Sequence, residues 1–178
     1  GIGYGIGSTP PGAQVPFGLA RVSPDTSEAF DVVISFEHFG GYYYDDTYMR
    51  AVTHLHMQGS GAVDLGVVGV MPFVQTTFDQ STIDFRTESW RLQMDKSAEI
   101  ATPGFYAVTV GDTARVELSA TQLTGHHRYT FDANSPAGLL ILPALTIDGN
   151  DAHELVQLQV DSSAGVAFGV IQVSESLS

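Results

Sequence analysis

The sequence contains no cysteine, which excludes a disulfide framework and thiolate metal sites but leaves the redox compartment undetermined. Basic residues are also scarce: 7 Lys and Arg stand against 20 Asp and Glu, a formal net charge of −13. Because nucleic-acid phosphates are bound by basic patches, this balance argues against a nucleic-acid partner. It argues equally against binding to an anionic membrane surface.

Long hydrophobic runs are missing as well. The longest one, near residues 138–145, is far shorter than the ~20 residues that a transmembrane helix needs. Neither an initiator Met nor a signal peptide is present at Gly1. We therefore expect the chain to be a fragment of a longer protein, cut at both ends.

Charge of either sign is sparse. Charged residues make up 15% of the chain, and Lys96 is its single lysine. An average soluble domain carries ~25% charged residues. A thinly charged, acidic surface together with 19 glycines favours an extracellular or lumenal β protein, so we expect the protein to be secreted.

The sequence does contain many short β-strand patterns. Hydrophobic residues make up 43% of the chain, too many for a disordered protein. Alternating or β-branched runs recur every ~8–12 residues between turn signals, as is typical of a sandwich or barrel. They predict strands at residues 17–22, 32–36, 67–73, 75–78, 104–110, 114–120, 127–131, 138–142, 155–160 and 166–173. No helix is predicted, and residues 1–178 are expected to form one all-β domain.

Turn signals set the expected strand boundaries. Gly111-Asp112 is interpreted as the tight turn of a hairpin whose second arm alternates apolar and polar residues from Ala114 to Ala120. Ser23-Pro24-Asp25 is interpreted as a turn that ends an early strand.

Two histidines two residues apart are a candidate metal site. If residues 54–56 form a strand, His54 and His56 share a face and both imidazoles can point at one ion. Nearby acidic residues, Asp45, Asp46 and Asp64, are available to complete such a site. The alternative is that one histidine braces the interior and the other is exposed.

A glycine-based aromatic segment is a candidate sugar-contact site. Residues 40–46 carry three tyrosines followed by Asp45 and Asp46. Tyrosine rings stack on the apolar faces of sugars, and carboxylates accept hydrogen bonds from hydroxyl groups. The alternative is that the tyrosines pack a sheet with their hydroxyls at its rim.

Six sequence blocks, in order, resemble the N-terminal domain of glycoside hydrolase family 92, a family of calcium-dependent exo-acting α-mannosidases. The blocks are PGAQVPFG with SPDT (residues 11–18 and 23–26), GYYYDD (41–46), THLHMQGSG with Asp64 and Gly66 (53–66), VMP (70–72), EIATPGFYAV (99–108), and ELSAT with GHHRYTF (117–121 and 125–131). The chain departs from the family pattern at Val52-Thr53 and at Leu65.

The resemblance implies an antiparallel β-supersandwich similar to the galactose mutarotase fold, truncated at its C-terminal end. It also implies that the catalytic acid, the base and the calcium ligands lie on a downstream (α/α)6 domain, which this chain lacks. That domain and mannose-containing glycans are the expected partners. No cofactor is expected in this chain, and the chain alone is not expected to hydrolyse mannosides.

By this resemblance the chain is the substrate-pocket domain of an inverting exo-α-mannosidase. The expected substrate-binding residues are Asp25, Thr26, Tyr42, Tyr44, Asp45, His54, His56, Ser60 and Asp64. The alternative function is a glycan-binding or structural extracellular protein that reuses the sandwich without catalysis. For each residue, the alternative to ligand contact is a structural role, because Asp commonly forms turns and His can brace loops.

Overall fold

The computed structural model describes residues 9–27, 38, 40–56, 68–74, 83–84, 88–111, 114–133, 136–142 and 152–174. Within these ranges the chain forms β-strands and no α-helix. The strands are β1 (Ala13–Gln14), β2 (Arg21–Ser27), β3 (Tyr48–Thr53), β4 (Gly69–Val74), β5 (Leu92–Thr102), β6 (Phe105–Val110), β7 (Ala114–Ala120), β8 (Gly125–Phe131), β9 (Ala137–Leu142), β10 (Ala152–Asp161) and β11 (Val166–Ser174).

The strand pairing is antiparallel throughout. Nine strands join in the order β1-β2-β3-β5-β6-β7-β8, while β4 pairs with β3 and β9 pairs with β4. Strand β3 lies where two arms of the sheet meet, because its Tyr48 pairs with β5 and its Val52 pairs with β4. Strands β10 and β11 form a separate two-stranded ribbon.

The sheet folds back so that two layers enclose the core. Strand β7 packs against β1, β2 and β4, none of which is its hydrogen-bonded neighbour. Apolar side chains from both layers are buried between them, among them Val22, Met49, Ala51, Met71, Tyr106, Val108, Val116 and Leu118. This layered, all-β architecture confirms the expected antiparallel sandwich.

The predicted hairpin forms as expected. Val110 of β6 pairs with Ala114 of β7, and Gly111 at the turn adopts a φ of +57°, in the left-handed region that favours glycine. On β7, Ala114, Val116 and Leu118 are buried while the intervening residues are partly exposed. The period-2 pattern therefore identified the buried face of this strand correctly.

The strand prediction differs from the structure in several details. The strand predicted at residues 17–22 begins only at Arg21, because residues 16–17 form a turn, and β1 was not predicted.

Residues 23–25, interpreted as a turn, lie inside β2. Pro24 lies beyond Arg21 and Val22, the two residues of β2 that pair with β1, and its pairing with Val52 of β3 is followed by a register shift between Asp25 and Thr26. Strand β3 was not predicted, because its sequence YMRAVT lacks alternation, and neither was most of β5.

Two further predicted strands, at residues 32–36 and 75–78, lie outside the described residues.

An irregularity in β5 supports the candidate site. Asp95 pairs with Thr109, and Ile100 pairs with Ala107. An advance of five residues along β5 is therefore matched by only two residues along β6. The intervening residues, 96–99, bulge away from the ladder. Bulges of this kind re-aim side chains and are frequent beside functional sites.

Among the described residues, no helix is long and apolar enough to cross a membrane.

Candidate functional site

The aromatic segment, residues 40–46, is tied by hydrogen bonds to the end of β2. The Thr26 amide donates to the Gly41 carbonyl at 2.8 Å, and the Tyr43 amide donates to the Thr26 hydroxyl at 2.9 Å. That hydroxyl in turn donates to Asp46 Oδ2 at 2.7 Å, which also contacts His38 Nε2 at 2.6 Å. Thr26 and Asp46 are both buried, so these bonds fix the segment in place.

Beneath this segment lies a buried polar cluster formed by Asp25, Thr53 and His56. Asp25 Oδ1 accepts from the Thr53 hydroxyl at 2.8 Å and lies 2.8 Å from His56 Nε2. The two side chains of the Asp25–His56 pair are at most 1% exposed. The second carboxylate oxygen, Asp25 Oδ2, is buried without a hydrogen-bond partner. These contacts tie Asp25 of β2 to the end of β3 and to the segment that follows it.

Gly41 covers this cluster closely. Its φ of +83° lies in the left-handed region. A Cβ at this position would lie 2.7 Å from His56 Nε2 and closer still to Asp25 Oδ1. Only glycine at position 41 therefore allows the aromatic segment to pass directly over the Asp25–His56 pair.

The two histidines of the predicted metal site do not share a face. Strand β3 ends at Thr53, so the period-2 rule no longer applies at His54. His56 is buried against Asp25, whereas His54 is exposed and contacts His127. Across the described part of the chain, no group of three or more His, Cys, Asp or Glu side chains could hold a metal ion.

His54 belongs instead to a chain of hydrogen bonds on the other side of β3. Its Nε2 lies 2.6 Å from His127 Nε2, and His127 Nδ1 lies 2.8 Å from the Tyr129 hydroxyl. Of two facing ring nitrogens, one must donate and the other accept, so this contact requires at least one neutral ring. Partial desolvation of its ring lowers the pKa of His54. Burial, together with the neighbouring charges of His54 and His126, lowers the pKa of His127 to about 4.

We expect this histidine pair to make stability depend on pH. The pKa of His127 is about 4 in the folded protein against 6.5 as its ordinary value, so the unfolded chain binds the proton more tightly. Above pH 6.5 this histidine does not reduce the free energy of unfolding. As the pH falls toward 4, the free energy of unfolding declines by at most about 3 kcal/mol. Urea unfolding of the protein and of His127→Gln at pH 7 and pH 4.5 measures this loss.

The His127→Gln protein should lose less stability on acidification than the unmodified protein. His126→Gln, a change at the adjacent exposed histidine, is the control and should keep most of the loss, because burial is the largest cause of the lowered His127 pKa. An equal acid response in all three proteins would show that other groups cause it.

A third cluster joins the aromatic segment to the β5 bulge. Glu99 Oε1 accepts hydrogen bonds from the hydroxyls of Tyr42 at 2.8 Å and Tyr106 at 2.7 Å. Lys96 Nζ donates to the Tyr42 hydroxyl at 2.6 Å, lies 3.0 Å from Glu99 Oε2, and sits 5.0 Å from the centre of the Tyr44 ring. Burial, followed by the interaction with Glu99, raises the pKa of Tyr42. The phenol therefore stays neutral and acts as a hydrogen-bond donor to Glu99.

The expected substrate-binding residues divide by exposure. Tyr44, Asp45 and His54 are exposed and can contact a ligand directly; the Tyr44 side chain is 72% exposed. The others that the structure describes are buried: Asp25, Thr26, Tyr42 and His56. Ser60 and Asp64 lie outside the described residues.

Sequence reasoning did not single out four residues that complete these clusters. They are Thr53, Lys96, Glu99 and His127. Each lies in or beside a block of the family resemblance, except Lys96, whose signal is that it is the single lysine of the chain. Their partners are 3 to 73 positions away in sequence, so spacing alone could not pair them.

Solved structures of GH92 enzymes share this fold. An α-mannosidase of family GH92 from Bacteroides thetaiotaomicron, solved in complex with mannoimidazole, superposes with a TM-score of 0.63 at 27% identity, over 77% of this chain and 18% of that one. A second GH92 glycosyl hydrolase superposes with a TM-score of 0.66 at 24% identity, over 89% of this chain and 21% of that one, and shares the fold.

Sequence comparison agrees. A protein of Arthroderma benhamiae named as an uncharacterized secreted glycosidase is 22% identical over 145 residues, which are 81% of this chain and 18% of that protein. The chain therefore spans about a fifth of the length of these relatives. The model of the glycosyl hydrolase family 92 N-terminal domain matches residues 2–175. Nearly the whole chain thus belongs to glycosyl hydrolase family 92, as part of its N-terminal domain.

Proposed function

We propose that this chain forms part of the substrate pocket of an inverting exo-α-mannosidase that acts on mannosylated glycans. Membership of family GH92 supports the proposal, as does the similarity to a bacterial α-mannosidase. The observation that carries it is the exposed Tyr44–Asp45 tip, held over buried hydrogen-bonded clusters. His54, which contacts His127, is a further exposed group that we include in the proposal.

These exposed groups suit a mannose ring. The Tyr44 ring offers an apolar face for the C–H face of the sugar, while Asp45 and His54 offer an acceptor and a donor for its hydroxyls. The buried residues of the site act indirectly: Asp25, Thr26 and His56 fix the segment that carries Tyr44. Preorganisation of this kind lowers the entropy lost when a ligand binds.

We assign no proton transfer to this chain. Inverting glycosidases place a carboxylic acid and a carboxylate ~6.5–9.5 Å apart, on opposite sides of the scissile bond, with room for a water. We propose that this pair and a calcium ion belong to another part of the protein. The described residues do not fit the ion, because no cluster of three or more candidate ligands occurs among them.

Secretion is a further part of the proposal. It is supported by the low charge content and by the similarity to a protein named as a secreted glycosidase. Detection of the protein in the culture medium of its source, against a cytoplasmic marker, tests it.

Replacement of His54 by alanine tests the proposed pocket. Because His54 is exposed, His54→Ala should change the melting temperature little. It should lower the turnover of an aryl α-mannoside by the full protein more than tenfold, about 1.4 kcal/mol of transition-state stabilisation. His126→Ala, at an exposed histidine outside the clusters, is the matched control and should keep normal turnover. Full turnover by His54→Ala, or its unfolding, would mean that His54 only braces the loop.

A further inference from the structure

An open cleft lies between the segment before β2 and the β5–β6 turn. Its volume is about 660 Å³, within the range of ~300–1,000 Å³ for small-molecule sites. The cleft is lined by Pro11, Gly12, Gln14, Val15, Pro16, Phe17, Gly18, Arg21, Ala101, Thr102, Pro103 and Gly104. None of the expected substrate-binding residues that the structure describes lines it, so it is separate from the clusters described above.

Phe17 at the edge of this cleft has no structural explanation. Its φ is +59°, a left-handed conformation that costs free energy in any residue with a Cβ. Its side chain is fully exposed, so burial of the ring does not offset that cost. Strained conformations of this kind cluster at ligand-binding sites, so Phe17 is a candidate for contact with a ligand.

Arg21 is the second unusual residue of the cleft. Four of the other described cationic side chains contact a polar side chain. The pairs are Arg50 with Glu88, Arg91 with Ser27, Lys96 with Glu99 and Arg128 with Glu117. Arg115 donates to the Ala98 carbonyl. Among the residues that the structure describes, Arg21 is the cation whose side chain has no partner. In a chain with a net charge of −13, this leaves a positive group available in a cleft.

We propose that this cleft binds a sugar that carries a carboxylate, of the uronic acid class. A guanidinium group forms two parallel hydrogen bonds with a planar carboxylate. The Phe17 ring and the proline side chains provide apolar surface for the sugar ring, and the Gln14 amide can bond to a hydroxyl. A single guanidinium matches a single negative charge, and no second cation is among the described residues that line the cleft.

The position of the cleft favours a sugar over an acidic peptide. The Arg21 amide donates to the His54 carbonyl at 2.9 Å, so the cleft adjoins one of the proposed mannose contacts. A glycan held in the mannosidase pocket could therefore place an acidic neighbour in this cleft. The choice of a sugar rests on the proposed function, whereas binding of a carboxylate by Arg21 does not.

Calorimetric titration of the protein with glucuronate tests the proposal directly. Acetate, methyl α-mannoside and a short glutamate peptide serve as comparisons. We expect saturable binding of glucuronate, at least tenfold tighter than binding of the other three. Arg21→Gln, which keeps a polar side chain, should weaken glucuronate binding at least tenfold, whereas Arg128→Gln, at an exposed arginine outside the cleft, should leave it unchanged.

Phe17→Gly separates binding from folding. Glycine adopts a φ of +59° without strain, so this variant should melt at the same or a higher temperature while its affinity for glucuronate falls. The proposal is overturned by an absence of saturable glucuronate binding, by equal binding in Arg21→Gln, or by equal or tighter binding of acetate or the peptide. Mannoside turnover is measured separately: glucuronate binding without turnover would support the cleft and contradict the proposed mannosidase.

Discussion

Gly41→Ala is expected to lower the free energy of unfolding by about 3 kcal/mol or more. The left-handed backbone at this position, with φ +83°, costs ~1–2 kcal/mol in a residue with a Cβ. The added Cβ would also overlap Asp25 Oδ1 and lie 2.7 Å from His56 Nε2. Leaving a buried hydrogen-bonding group without its partner costs a further ~1–3 kcal/mol. Thermal and urea unfolding of the variant measure the total.

Gly104→Ala is the matched control for this substitution. Gly104 has nearly the same backbone, with φ +78°, but the nearest atom to its added Cβ, the Gln14 carbonyl oxygen, lies 4.0 Å away. Gly104→Ala should therefore lose only the free energy that the strained backbone costs. The difference between the unfolding free energies of the two variants then measures the displacement of the Asp25–His56 pair. Equal losses in both would show that the buried pair tolerates the Cβ.

The same substitution should also affect function. Because Gly41 holds the segment that presents Tyr44 and Asp45, we expect Gly41→Ala to reduce mannoside turnover even at temperatures where the variant is folded. Gly104→Ala should lose stability without a comparable loss of turnover at such temperatures.

Glu88→Gln is expected to destabilise the protein by ~3–5 kcal/mol, because it leaves a buried guanidinium without its carboxylate. Arg50 Nε donates to Glu88 Oε2 at 2.6 Å, a second Arg50 nitrogen pairs with Oε1, and both side chains are at most 7% exposed. Glutamine keeps the shape of the side chain and removes its charge. Equilibrium unfolding in urea at pH 7 gives the difference.

An exposed pair provides the control. Arg128 forms two hydrogen bonds with Glu117, the same arrangement, but the Arg128 side chain is 73% exposed. Solvent screening limits such pairs to ~1 kcal/mol or less, so Glu117→Gln should have a small effect. A loss in Glu88→Gln no larger than in Glu117→Gln would contradict the assigned role of the buried pair.

The Arg50–Glu88 pair also connects the fold to the site. Glu88 lies just before β5, and the Trp90 indole N–H donates to the Arg50 carbonyl at 2.9 Å. These contacts attach the start of β5 to β3. The bulge that carries Lys96 and Glu99 follows a few residues later, and it supports Tyr42 and Tyr44. Loss of the pair should therefore loosen the aromatic segment as well.

The amino-acid sequence by itself determined the class of the fold and much of its strand content. Period-2 alternation from Ala114 to Leu118 predicted a buried face, and the Gly111 turn predicted the hairpin partner. Such patterns are local: a strand and its tight turn are specified by residues within a few positions of one another. The family resemblance likewise follows from ordered local blocks, and the family model confirms it.

Only the tertiary structure decided which candidate residues meet. It separated His54 from His56, because the strand ends between them, and it paired the first with His127 and the second with Asp25. It placed Asp25 inside a strand that the sequence interpreted as a turn. These outcomes depend on strand pairing across up to 73 residues of sequence, and on whether a side chain faces the core or solvent. Neither is encoded in spacing along the chain, because both arise only when the layers of the sandwich pack together.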